Sequence, residues 1–175
     1  MTGDVLQGLV DRVMAQDHLF PKGEGAEYPI HPENLIDPYN ARRWECAEDM
    51  YGSVNIARDD RAGRIHQYSQ NLRFFGAPVG FMYTIHRSMG QGHWADMGML
   101  LQSVMLTARA EGLHTCPQQV WAMWPKTVSE YLKVPDDRMI FCGMGLGYMD
   151  EKPPINNWRT TRQEIDDFTS FSGFE

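Results

Sequence analysis

Two arginines three residues apart, Arg159 and Arg162, with Thr160 and Thr161 between them, have the makings of a phosphate grip. A guanidinium presents a planar fork of N–H donors that meets phosphate oxygens in pairs, and the hydroxyls add donors beside it. The same spacing suits a solvated pair that balances Glu164, Asp166 and Asp167, as charge runs often do. Upstream, Thr115-Cys-Pro-Gln-Gln119-Val-Trp121 joins a proline-fixed bend to two amides and an indole. A loop so composed offers backbone N–H groups and amide side chains to a polar planar ligand, with Trp121 and Trp124 as flat apolar walls. It is equally a turn backed by core aromatics. Gly143-Met-Gly145-Leu-Gly147 lacks the GxGxxG spacing and no apolar helix follows it, so it is not a dinucleotide loop. It reads as a strand kept bare of side chains, either for a ligand's close approach or for packing against a neighbouring helix.

Other chemistry is missing. There is no HExxH, GxSxG or Walker-type GxxxxGK[ST]. The six histidines are scattered and none has metal-ligand spacing beside a cysteine or carboxylate cluster. With 16 Lys+Arg against 23 Asp+Glu the net charge is −7, which argues against a nucleic-acid partner needing a basic face. The longest apolar stretch, Phe74 to Ile85, is 12 residues broken by Gly76, Pro78 and Gly80, too short for a membrane span. Cys46, Cys116 and Cys142 lie far apart without a CxxC, the pattern of buried thiols in a reducing cytoplasm.

The elements that must carry these residues follow from periodicity. Val5, Leu6, Leu9, Val10 and Val13 fall on one side of a helix over 4–16. Residues 17–38, with four prolines and two glycines, read as a long irregular segment, either a functional flap or padding. Trp44, Ala47, Tyr51 and Val54 make one buried stripe on a helix over 40–54. Acidic Asp59 and Asp60 suit the start of the next helix, through Ile65 and Leu72. Val79, Phe81, Tyr83 and Ile85 alternate as a strand over 77–86. The helix over 92–111 carries a seam of Trp94, Met97, Leu101, Val104 and Ala108, with Gly98, Leu100, Met105 and Leu106 widening its apolar surface beyond one stripe. Such a helix needs cover on several sides, which in a chain this short points to a second subunit. Gly112 ends it, Pro125 opens a shorter helix to Lys133, and 139–148 is a second, glycine-rich strand. The class is α+β.

In this order the pieces resemble the FMN-dependent nitroreductase family. The resemblance rests on Arg73-Phe-Phe-Gly-Ala-Pro-Val79, Trp94-Ala-Asp-Met-Gly98, Gln102, Gly112-Leu113, Thr115-Cys-Pro-Gln-Gln119, Leu146-Gly-Tyr148 and Asn157-Trp-Arg-Thr-Thr-Arg162. It implies an antiparallel-containing central sheet flanked by helices, and a homodimer whose long central helices pack across the interface around two FMN molecules. By the same resemblance Arg159 and Arg162 grip the FMN phosphate. Pro117, Gln118, Gln119 and Val120 line the reactive nitrogen of the isoalloxazine ring, which takes the backbone N–H of Gln119 or Val120. Gln119 stands where many relatives carry an acidic residue. The implied activity is ping-pong reduction of a small aromatic substrate, a nitroaromatic or quinone, with NAD(P)H as co-substrate and no catalytic side-chain acid or base. The family's Arg-Arg-Ser-x-Arg and Ser…Asn-x-Gln-Pro-Trp segments have no counterpart here. The expectation is therefore one nitroreductase-like domain over 1–175 without that amino-terminal block. The alternative is a silent dimerisation or ligand-binding module.

Overall fold

Three-and-four spacing of apolar residues becomes helix where expected. The computed structural model describes residues 1–174, and they group into two units, 1–33 with 60–149 and 34–59 with the stretch from 150 onward. In the first unit α1 (Gly3–Met14) buries Leu9, Val10 and Val13, while Val5 lies outside the buried stripe and is exposed. Helix α3 (Arg61–Ser69) starts at Asp60, whose carboxylate accepts the Gly63 N–H at 2.8 Å, the N-cap bond that supplies an otherwise orphaned donor with a partner. It tightens into a 3-10 stretch to Gly76 that buries Leu72 and Phe74. Phe74, Phe75 and Gly76 all take positive φ, and this left-handed corner turns the chain into β1.

The seam of the long helix, here α4 (Gln91–Ala110), is the one read from the sequence: Trp94, Met97, Leu101 and Val104 are half-buried and Ala108 buried, while Met99, Leu100 and Leu106 are exposed. It ends in a Schellman motif. Gly112 takes φ +76°, its N–H bonds to the Arg109 carbonyl, and the Leu113 N–H reaches the Ala108 carbonyl at 2.8 Å. Helix α5 (Pro125–Leu132) opens on proline and closes on left-handed Lys133.

The sheet has three antiparallel strands in the order β1-β3-β2, with β1 at Val79–His86, β2 at His114–Gln118 and β3 at Arg138–Gly147. Strand β2 corrects the loop expected over 115–121. His-Thr-Cys-Pro-Gln has little intrinsic strand character, and pairing to β3 makes it a strand. A register shift pairs Tyr83 with Cys142 but Thr84 with Ile140, so Phe141 is the extra residue of a bulge. The bulge reverses the alternation on β3. Ile140 before it and Gly143 and Gly145 after it meet the cluster of α1, α5, Phe74 and Trp121. Met139 and Phe141 meet Trp94 and Met97 of α4 on the other face, where Ile85 also lies. The bare glycines serve this packing. A Cβ on Gly143 would stand 2.3 Å from Trp121 Cδ1, and one on Gly145 3.2 Å from the Phe74 carbonyl oxygen.

The proline-rich segment is a strap, neither flap nor padding, over the part that belongs to this unit. The Glu24 carboxylate accepts the N–H groups of Lys126 and Thr127 and the Thr127 hydroxyl. Glu27 pairs with Arg87 at 2.7 Å, and Tyr28 is buried against Phe141 and Trp94.

In the second unit α2 (Tyr39–Ser53) buries no residue. The expected stripe is therefore corrected: Trp44 is 46% exposed, with the Arg43 and Arg58 guanidiniums 5.5 Å from its ring. Cation–π contact replaces core burial there. Among the described residues no helix is long and apolar enough to cross a membrane.

Candidate functional site

Strand β2 delivers residues 117–120 to its end, where the chain turns into a short 3-10 stretch, Gln119–Met123. The first N–H groups of such a turn have no partner within it, and here they belong to Gln119 and Val120. Pro117 is exposed and, as an imino acid, donates nothing. Gln118 is 2% exposed, and its side chain points inward, donating to the Asn71 carbonyl at 2.9 Å and accepting from Trp121 Nε1 at 3.4 Å. Its amide is committed to the core, and its backbone pairs with Gly143 of β3. Val120 is buried and Gln119 exposed. The Gln119 side chain donates from Nε2 to the Tyr28 hydroxyl at 3.2 Å.

Trp121 and Trp124 are 0% and 1% exposed, so the expected apolar walls are core instead. Trp121 stacks on Phe74 with centroids 4.6 Å apart, and Trp124 packs against Phe20 at 5.4 Å. An indole is too large an apolar surface to leave facing water when bare Gly143 gives it a bed.

The arginines lie in the second unit and are exposed. Arg159 donates from Nη1 to the carbonyls of Asn156 and Trp158, at 2.9 and 2.7 Å. Arg162 donates from Nη1 to the carbonyls of Thr160 and Thr161 and to the Thr160 hydroxyl. The turn that carries them is braced by the Asn156 and Asn157 side chains, which donate to the carbonyls of Asp150 and Glu151. Among the described residues neither guanidinium forms an ion pair with Glu164, Asp166 or Asp167. Each keeps its Nε and second Nη edge uncommitted to a carboxylate.

Two residues bonded to the 119–127 stretch are not legible from the sequence. Tyr28 sits in the proline-rich segment without a periodic neighbour, and Glu24 acts as the cap of α5 from 102 residues away. A lone tyrosine among prolines and glycines is the only local hint. Burial pushes the Tyr28 phenol above its ordinary range, outweighing the opposing bond from Gln119, so it remains a protonated donor at neutral pH.

Residues 25–148 match the model of the nitroreductase family. The chain is 40% identical over 144 residues to a 4-nitrobenzoate reductase of Pseudomonas putida, covering 82% of this chain and 63% of that protein. It superposes with a TM-score of 0.94 and 44% identity on the FMN- and NADPH-dependent nitroreductase NfnB of Sphigopyxis sp. strain HMH, covering 99% of this chain and 78% of that one. On NfnB of Mycobacterium smegmatis, solved in complex with NADPH, the TM-score is 0.90 at 26% identity, over 98% of this chain and 76% of that chain. The chain therefore spans somewhat under two thirds of the 4-nitrobenzoate reductase and about three quarters of these structures.

Proposed function

Because this chain belongs to the nitroreductase family, we propose that it works as an FMN- and NAD(P)H-dependent reductase of nitroaromatics or quinones, as a homodimer in the cytoplasm. The observation that carries the reading is its 44% identity, across 99% of its length, to a nitroreductase described as FMN- and NADPH-dependent. When bound, FMN supplies the hydride chemistry, so that NAD(P)H and the aromatic acceptor use one slot in turn and the kinetics are ping-pong.

Taken unit by unit, the residues present have the chemistry such a group needs. Arg159 and Arg162 are two guanidiniums without a carboxylate partner among the described residues, in a chain of net charge −7; a dianionic phosphate is the natural complement. Their Nη1 groups, held on backbone carbonyls, fix the direction of the remaining donors. The Gln119 or Val120 N–H serves the electron-rich ring nitrogen, and exposed Pro117 borders the ring edge. The exposed Met99, Leu100 and Leu106 on α4 are the surface for a second copy. Cys142 alone of the three free thiols is buried as expected, Cys46 and Cys116 being exposed, and exposed unpaired thiols suit a reducing compartment.

A dimerisation or ligand-binding module without turnover is the second reading. The inward commitment of Gln118, Trp121 and Trp124 favours it, since it takes three side chains away from the ring. One titration separates the two. Added FMN should lose its fluorescence on binding, and light scattering should report two copies. NADPH oxidation with 4-nitrobenzoate should then require FMN and give parallel double-reciprocal lines. Arg162→Ala should weaken FMN binding by about ten-fold or more, the loss of one charge-assisted contact of ~1.5–3 kcal/mol. A wild-type protein that leaves FMN fluorescence unchanged refutes the flavin reading.

A further inference from the structure

The Tyr28 hydroxyl sits in a hydrogen-bond chain whose direction is forced. At one end is the carbonyl of Phe141, the extra residue of the β3 bulge. A bulge leaves such a residue without its ladder partner, and a carbonyl can only accept. Tyr28 has one proton and gives it to that carbonyl. Toward Gln119 it can then only accept, so Gln119 must present its NH2, at 3.2 Å. This fixes the amide's orientation without any choice between its two ends, and leaves Oε1 and the second N–H as the uncommitted groups of an exposed side chain. The anchor is stiff. Tyr28 is 7% exposed, with its ring stacked on Phe141 at 5.7 Å and edge-on to Trp94 at 5.1 Å. The strap that brings it is tied at Glu24 and Glu27.

We propose that Tyr28 is a positioning residue. It holds the Gln119 amide with Oε1 turned outward, giving the ring-side segment one fixed hydrogen-bond acceptor that takes the carboxamide N–H of the nicotinamide of NAD(P)H. The inference rests on the flavin-dependent reading and extends it to substrate recognition. Of the two substrates that reading needs, only one can use the acceptor. Nitro groups and quinones carry acceptors alone, so they gain nothing from Oε1. The nicotinamide carries an NH2. An acidic residue at this position would offer a negative charge to either substrate; the tethered glutamine offers a neutral acceptor in one orientation.

The experiment compares NADP+ with its 3-acetylpyridine analogue, in which a methyl group replaces the carboxamide NH2. Binding of each to the FMN-loaded protein is measured by calorimetry, so the readout is independent of turnover. Wild-type protein should bind NADP+ about three- to ten-fold more tightly than the analogue, the worth of one neutral hydrogen bond. In Gln119→Leu, and in Tyr28→Phe, which keeps the ring but loses both hydroxyl bonds, that ratio should fall to near one. In steady state the same variants should raise KM for NADPH. Gln119 is exposed, so its variant remains informative if Tyr28→Phe unfolds. A wild-type ratio near one, or a ratio that persists in Gln119→Leu, overturns the inference while FMN binding stands. Wild-type protein that binds no FMN removes the functional reading and this inference together.

Discussion

Glu24 makes the strap's most consequential contact, and its removal has a calculable effect. Helix α5 begins Pro125-Lys126-Thr127, and the residue before it, Trp124, makes no side-chain cap. The two amides that a capping side chain would serve, those of Lys126 and Thr127, instead donate to Glu24, at 2.9 and 3.2 Å, and the Thr127 hydroxyl joins them at 2.5 Å. A lost cap costs about 1 kcal/mol. A carboxylate at a helix amino end adds ~0.3–1 kcal/mol through the dipole. Water can reach the amide of exposed Lys126 but only partly that of Thr127, so the remaining desolvation loss is a fraction of the ~1–3 kcal/mol of a fully buried orphan. Glu24→Ala should therefore destabilise the protein by about 2 kcal/mol, or ~4–8 °C in Tm for a domain of this size. Glu24→Gln keeps an acceptor oxygen and loses the charge, so about half that cost is expected. Urea denaturation followed by circular dichroism measures both. Trypsin supplies a second readout: exposed Lys22 lies two residues before the anchor, and cleavage there should be faster in Glu24→Ala. An alanine variant within about 0.5 kcal/mol of wild type, or a glutamine variant as unstable as alanine, would refute the reasoning.

Gly143→Ala would drive a methyl to 2.3 Å from Trp121 Cδ1. With Trp121 fixed between Phe74 and Gln118, a cost of about 2–3 kcal/mol is expected, with altered near-UV dichroism. Gly145→Ala meets its nearest atoms only at 3.2 Å and should cost less; the reverse order in denaturation would contradict the packing account. Cys142 is 4% exposed, and burial pushes its thiol up to about 12. The unfolded chain releases this proton near 8.5 and the folded chain does not, so stability is full below about pH 8 and declines as pH rises toward the folded value. Between pH 8 and 10 wild type should lose ~2 kcal/mol more than Cys142→Ala, read from paired urea titrations; equal losses would rule this out.

The parts of the fold legible in the sequence are those whose cause is local. The α4 seam is set by spacing alone, and its end by a glycine followed by leucine. Proline at the start of α5 works in the same way. Strand β2 was hidden because its residues have no strand preference of their own; only the neighbouring β3 makes them one. The strap was open to two readings because its anchors join residues 102, 60 and 113 positions apart, and no window of sequence contains both ends. The α2 stripe has correct spacing, but spacing fixes which residues share a face and not whether that face is covered.

The candidate site divides along the same line. Residue type and order pick out 117–120 and the two arginines, and family resemblance gives them roles. What each side chain can offer a ligand depends on which of its atoms the fold has already used. Gln118 and Gln119 are the same residue, adjacent, and equivalent on paper. One spends its amide on Asn71 and Trp121, and the other is held by a tyrosine 91 residues away with its Oε1 and one N–H still open. The Gln119 half of that difference traces to the bulge at Phe141, whose carbonyl takes the Tyr28 proton. A one-residue irregularity in the central strand thereby sets the hydrogen-bonding character of a surface residue at the end of β2, and without it Tyr28 would be as free to donate to Gln119 Oε1 as to accept from Nε2.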